Sequence, residues 1–351
     1  MRVSLITLGD PQTVTGGYLY HLRMAAAAPR HGAVISFVSL PDRPFPLPSL
    51  SGPRILRRAV VQRADVTVID SIAAAFVAPW CRMLPGPPLV AMLHQPPGGI
   101  DHGCMRTPVQ AFLDRLLYER TARLMVASGW LRDELITSGF AREQVVVVAP
   151  GSDAPARARE EVGDLRRGRR AAILSVGNWV ARKQTLELLD AFALLPPPLA
   201  MLHLAGSDHF EPSYARRVRE RLAAPDLRGR VVVHGAVARA RVDALYRAAD
   251  VFVLPSVREP YGTVYAEAMA AGLPVVGWNA GNLPYLATHE REGLVVEPGA
   301  VEELAAAMHH LAADAELRAQ MSTAARRRAR SFPTWDKTAE LFFGVLHDVL
   351  R

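Results

Sequence analysis

The chain has 351 residues, half of them hydrophobic, a net charge of +7 and a pI near 9.8. That length is generous for one core and comfortable for two α/β domains, while no run of about 18 apolar residues predicts a membrane span and the opening MRVSLITLGD is too short and interrupted for a signal peptide. Only Lys183 and Lys337 among the 41 basic residues are lysines, and the densest arginine cluster, Arg326-Arg327-Arg328-Ala329-Arg330, has no interleaved aromatic residues, which argues against a nucleic-acid partner. Cys81 and Cys104 form neither a CxxC pair nor a disulfide framework and suit a reduced, cytoplasmic setting. Arg54, Arg57, Arg58 and Arg63 offer a basic patch for peripheral contact with the inner face of an anionic membrane.

Along the first half, strand-like apolar runs fall at 3–8, 33–40, 66–69, 89–93, 124–127 and 145–148, with helical runs at 17–28 and 107–121. The first strand leads into Thr15-Gly16-Gly17, where paired glycines allow close backbone approach at a helix start. The strand at 89–93 delivers His94 into the loop HQPPGGIDHG, which also holds Asp101 and His102. Residues 151–170 are rich in Arg, Ala and Gly without an apolar period and read as a linker.

The second half restarts with a strand at 171–176, followed by strands at 200–204, 231–234, 251–254, 274–277 and 293–296. Helices are expected at 184–194, 212–223, 238–248, 262–271, 301–312 and 315–329, with a final helix from 334. The alternation predicts an α/β protein of two doubly wound, Rossmann-like domains, 1–160 and 165–333.

The stretch VFVLPSVREPYGTVYAEAMAAGLP, from Val251 to Pro274, carries the most chemistry. A strand ends at Pro255-Ser256, and a helix opens near Gly262. Glu259 lies in the loop and Glu267 about one turn into the helix, with seven residues between them. Helix-start N–H groups at Gly262, Thr263 and Val264 favour an anion there, whereas carboxylates suit sugar hydroxyls. Phosphate donors beside hydroxyl acceptors point to a nucleotide-sugar site.

This string resembles the E-x7-E signature of retaining glycosyltransferases of glycosyltransferase family 4: Pro255, Ser256, Glu259, Gly262, Glu267, Ala268, Met269, Ala270, Gly272, Pro274, Val275 and Val276 all fit it. The resemblance implies the GT-B fold, two Rossmann-like domains facing a cleft, with the last helix crossing back to the first domain. It implies an amino-terminal acceptor domain and a carboxy-terminal donor domain. Gly16 and Gly17 would then line the cleft, and His94 would contact the transferred sugar, with Asp101 and His102 near the acceptor. In the element Val176-Gly177-Asn178-Trp179-Val180-Ala181-Arg182-Lys183-Gln184, Lys183 matches the family's diphosphate-binding Lys. Asn178 stands where the family has Arg, Arg182 offers a substitute charge, and Gln184 replaces a Gly.

By the same resemblance, Glu259 would bind the sugar, Glu267 the ribose, and the His234-Gly235 loop would lie near the base. A second departure falls at Asn282 and Tyr285, in place of the family's Gly and Glu. The implied activity is retaining, metal-independent transfer from a nucleotide-diphosphate sugar to an acceptor hydroxyl on a glycan, lipid or small molecule, with no cofactor. Both departures leave room for a non-catalytic nucleotide-sugar binder, and the shared fold for an epimerase.

Overall fold

The computed structural model describes residues 1–12, 16–61, 63–83, 87–100, 103, 105–152 and 161–351. They form two compact units, 1–151 with 333–351 and 152–332.

The first unit alternates β1 (Arg2–Leu8), α1 (Gly16–Ala27), β2 (Val34–Leu40), α2 (Gly52–Val61), β3 (Val66–Asp70), α3 (Ser71–Val77), β4 (Leu89–Leu93), α4 (Arg106–Tyr118), β5 (Arg123–Val126), α5 (Gly129–Thr137) and β6 (Val145–Val147). All six strands pair in parallel, in the order β2-β1-β3-β4-β5-β6. Val66, Val68, Ile69, Val90, Met92, Leu124 and Val126 are sealed, as strands covered on both faces require. Chain order reverses at β1 and β3, so their carboxyl ends flank the crevice where such sheets bind ligands.

The second unit contains β7 (Ala171–Val176), α6 (Thr185–Ala193), β8 (Ala200–Ala205), α7 (Pro212–Leu222), β9 (Val231–Gly235), α8 (Arg239–Ala248), β10 (Val251–Val253), α9 (Thr263–Ala271), β11 (Val275–Trp278), α10 (Leu283–Leu286), β12 (Gly293–Val296), α11 (Val301–Ala313) and α12 (Ala315–Ala329). Its parallel sheet runs β12-β11-β10-β7-β8-β9, and the reversal lies between β7 and β10. Apolar clusters fill both faces, one around Phe192, Leu202 and Trp278, the other around Phe252, Tyr265 and Met269.

The last helix, α13 (Trp335–Val349), belongs to the first unit and buries Ala339, Phe342, Phe343 and Leu346 in its core. Phe343 stacks on His31 with ring centroids 4.8 Å apart, and the Thr338 hydroxyl donates to the Ala149 carbonyl at 2.8 Å.

Helices α2, α3, α5 and α10 lie where sequence periodicity predicts none. α3 is buried almost all round, so it lacks the amphipathic period that marks a surface helix. Its start is set by Asp70, whose side chain accepts from the Ile72 amide. The expected linker also needs correction. Leu165 is buried, and Arg166 forks onto Asp250 at 2.8 and 2.6 Å, so this end of 151–170 is a strap on the second unit; residues 153–160 lie outside the described set. Arg54 and Arg57 are exposed on α2 and Arg63 just beyond it, whereas the Arg58 side chain lies outside the described set.

Candidate active site

In the second unit the site forms where β7 and β10 diverge. Lys183 follows β7, Glu259 follows β10, and the buried ammonium of Lys183 pairs with the Glu259 carboxylate. Arg182 stands 3.6 Å from the same carboxylate and donates to the Arg258 carbonyl at 3.0 Å. Among the described residues, Lys183 and Arg182 share the one Glu259 carboxylate here, an arrangement suited to an anionic ligand that displaces Glu259 from Lys183.

The departures at Asn178 and Gln184 have structural explanations. The Asn178 side-chain oxygen Oδ1 accepts from the Ser207 backbone N–H at 3.1 Å, tying the loop after β7 to the loop after β8. Gln184 sits at φ +51°, a left-handed position that glycine takes without strain, and its side-chain oxygen receives the Trp278 indole N–H at 2.7 Å. Asn282 is buried and brackets the Glu259 loop: its amide N–H donates to the Glu259 carbonyl at 2.9 Å and its side chain to the Tyr261 carbonyl at 2.7 Å. Tyr285 is partly exposed, and its carbonyl accepts from Arg328.

Gly262, at φ +81°, turns the chain into α9. The first-turn amides of Thr263 and Val264 have no carbonyl within the helix to bond, which leaves donors at its positive end. Glu267, one turn on, pairs with Arg239, whose Nε also meets Asp243 at 2.9 Å. Burial raises the Glu267 pKa despite Arg239, and burial with the Glu267 charge pushes Tyr261 up to about 12. A cavity of about 400 Å³ opens beside these groups, lined by Asn178, Arg182, Lys183, Ser207, Val237 and Val264 among others.

His234 is not brought to that wall. Its Nε2 meets Nδ1 of buried His203 at 3.0 Å, and His203 Nε2 meets the Leu165 carbonyl at 2.8 Å. Ala236 and Val237, just beyond it, line the cavity instead. Burial first, then His203, Arg241 and Arg167, push His234 down to about 4.

In the first unit His94 leaves the end of β4 and packs on the start of α1. A Cβ on Gly17 would lie 3.4 Å from His94 Cδ2, and the Tyr20 and His21 rings stand 4.9 and 5.0 Å from the His94 ring. Gly16 opens the same helix, whereas Thr15, Asp101 and His102 lie outside the described residues. Burial, reinforced by His21, pushes His94 down to about 3 against the pull of Asp70. Burial alone would raise Asp70; the charge and hydrogen bond of His21, then His94 and the Ile72 amide, bring it down to about 2.

His21, Asp70 and His94 each offer one donor atom within 4.8 Å of the others, the only such group of three among the described residues. Hydrogen bonding already engages part of that set, since Asp70 Oδ2 meets both Thr7 Oγ1 at 3.0 Å and His21 Nε2 at 2.9 Å. Sequence reasoning missed His21 and Asp70, because their separations of 49 and 24 residues along His21–Asp70–His94 match no local motif.

Asp114 was also missed. Its carboxylate accepts the Gly98 amide at 2.9 Å and so anchors the loop that follows His94. Burial raises it from 3.8 to about 7 despite the bonds from Gly98 and Ala75. The folded state thus keeps a proton that the unfolded chain has lost, and stability from this group declines as pH rises from about 4 to 7. Asp114→Asn retains an acceptor for Gly98 and cannot ionise. Its melting temperature relative to wild type should be higher at pH 8 than at pH 4.5; an unchanged difference would contradict the raised pKa.

The sequence model for Glycosyl transferases group 1 matches residues 158–328, and that for the Glycosyl transferase 4-like domain matches 1–151. Mannosylfructose-phosphate synthase of Agrobacterium fabrum is 32% identical over 180 residues, 50% of this chain and 40% of that protein. A D-inositol 3-phosphate glycosyltransferase of Xylanimonas cellulosilytica is 33% identical over 49% of this chain and 41% of its own. The chain thus spans about two fifths of both relatives. The GDP-mannose-dependent alpha-(1-6)-phosphatidylinositol monomannoside mannosyltransferase of Mycobacterium tuberculosis is 26% identical over 86% of this chain and 80% of its own length. Among solved structures, Anabaena Alr3699/HepE in complex with UDP and glucose has a TM-score of 0.78 at 20% identity, covering 98% of this chain and 99% of that one. Sucrose-phosphate synthase from Thermosynechococcus elongatus has 0.81 at 20%, covering 99% and 98%. Likeness at this identity establishes the GT-B fold.

Proposed function

Because the chain belongs to the group 1 glycosyl transferases, we propose that it transfers a sugar from a nucleotide-diphosphate sugar to an acceptor hydroxyl, with retention and without an essential metal ion. The observation that carries this reading is the Lys183–Glu259–Arg182 constellation beside the α9 start and the adjoining cavity. Lys183 exchanges Glu259 for the donor diphosphate, helped by Arg182 and the amides of Thr263 and Val264. Glu259, so released, accepts hydrogen bonds from the transferred sugar. Glu267, held by Arg239, takes the ribose hydroxyls. Asn178 keeps the phosphate loop in shape, and we assign His94 and the Gly16-Gly17 helix start to the transferred sugar.

The acceptor oxygen bonds to the anomeric carbon as the bond to the diphosphate breaks, and the acceptor proton leaves with a phosphate oxygen. Lys183 stabilises the charge that develops on that leaving group, the kind of contribution that dominates such steps. Retention and the lack of a metal requirement are supported by family membership. No helix among the described residues is long and apolar enough to cross a membrane; Arg54 and Arg57 support peripheral contact with an anionic surface if the acceptor is a lipid.

A thermal-shift panel of UDP-, GDP-, ADP- and TDP-sugars tests the donor site. One nucleotide class should raise the melting temperature, by a margin that Glu267→Ala reduces. A shift with none of them would remove the nucleotide-sugar reading; a shift without turnover on any acceptor would leave a binding protein.

A further inference from the structure

His94 is held by one face of α1. Gly17, Tyr20 and His21 fall at i, i+3 and i+4, the spacing that stacks side chains on one side of a helix. Gly17 leaves room for the imidazole, the Tyr20 ring meets it at 66° and the His21 ring at 75°.

Beneath this lies a carboxylate with no room to titrate freely. Asp70 accepts from the Thr7 hydroxyl at 3.0 Å, the Ser71 hydroxyl at 3.3 Å and the Ile72 amide at 3.3 Å, and meets His21 Nε2 at 2.9 Å. A carboxylate so surrounded by donors only accepts, which assigns the proton between them to His21 Nε2. The Ser71 hydroxyl oxygen also accepts the His94 backbone N–H at 3.2 Å. One turn, Asp70-Ser71, therefore fixes the His94 backbone directly and its ring through His21. The His21 side chain is fully buried, and His21 Nδ1 and His94 Nε2 are both sealed without a partner.

We propose that His21, locked by Asp70, is a positioning residue for His94: it sets the plane of the imidazole and keeps it a neutral hydrogen-bonding ring. Among the described residues, the charged and titratable groups facing His94 are His21 and Tyr20 from α1 and Asp70 from β3. Burial and His21 act against a proton on His94, and Asp70 acts for it. Removing His21 moves that balance towards protonation. The consequence for turnover rests on the assignment of His94 to the transferred sugar; the consequence for the ring does not.

The test uses the full chain with ¹⁵N-labelled histidine. In the wild type, the His94 ring signals should stay flat from pH 5 to 8. In His21→Gln, which keeps a donor for Asp70 while the burial of the ring remains, they should begin to titrate at the acid end of that window. Turnover of the donor nucleotide-sugar should fall roughly tenfold or more in kcat, with its KM within about twofold, as loss of a transition-state geometry requires. His21→Leu should act in the same direction, and melting curves certify that each variant is folded. A folded His21→Gln with flat His94 signals and wild-type kcat would overturn the proposal. If His94→Ala keeps full turnover while His21→Gln still makes His94 titrate, the positioning stands and the functional assignment of His94 falls.

Discussion

Replacing Lys183 with alanine should lower kcat by about two to three orders of magnitude while shifting the melting temperature by only a few degrees. One electrostatic donor to a developing oxyanion is worth roughly 2.7–4 kcal/mol of barrier, which is that factor in rate. The small folding cost follows from the neighbours. Removing one partner of a buried ion pair is expensive when it leaves a lone charge. Here Glu259 retains Arg182 at 3.6 Å and is partly reached by water. Lys183→Arg should not restore turnover, because a longer, planar guanidinium does not set its charge where the buried ammonium meets Glu259. Steady-state kinetics with the nucleotide-sugar found by thermal shift, read beside melting curves, checks both halves. Undiminished kcat would remove Lys183 from the mechanism; a collapsed melting curve would assign it a structural role.

Gly206→Ala should damage the cavity beside Lys183 from beneath. Gly206 follows β8 at φ +150°, and a Cβ there would lie 2.0 Å from the Gly177 carbonyl oxygen and 3.0 Å from the Asn178 nitrogen. Backbone cannot yield as a flexible side chain does, so the loops after β7 and β8 must separate. Both line the cavity, and their tie through Asn178 and Ser207 would break with them. Overpacking and strained backbone together cost about 3 kcal/mol, or roughly 10 °C in melting temperature for a unit of this size. The thermal shift given by the nucleotide should disappear. Gly163→Ala is the control, since nothing lies within 4 Å of its Cβ position. A Gly206→Ala variant that melts and binds like the wild type would show that these loops are not held as described.

Much of this was legible in the sequence. The strands of both sheets are short apolar runs closed by polar or glycine-containing loops, and a parallel sheet makes such runs without tertiary help in reading them. The stretch from Val251 to Pro274 placed Glu259 in a loop and Glu267 on a helix because Pro255 ends a strand and Gly262 and Gly272 bracket the helix. Lysine scarcity singled out Lys183 before any geometry. Helix α3 escaped because burial on every side erases periodicity, and α5 because it is only 9 residues long and buries only Leu131 and Leu135, too short a pattern to show a period.

What the sequence by itself determined is therefore local: element types, the glycine-bracketed turn into α9, and the family motif, all set by spacings of a few residues. Only the tertiary structure decided which distant groups answer one another. Asn178 meets Ser207 across 29 residues and Gln184 meets Trp278 across 94, which turns apparent departures into ties that hold the loop after β7. The same holds for His234, which pairs with His203, and for His21 and Asp70, which converge on His94. Such contacts depend on sheet order. Strand order is chosen by how two faces of each sheet are buried, and no local window of sequence carries that choice.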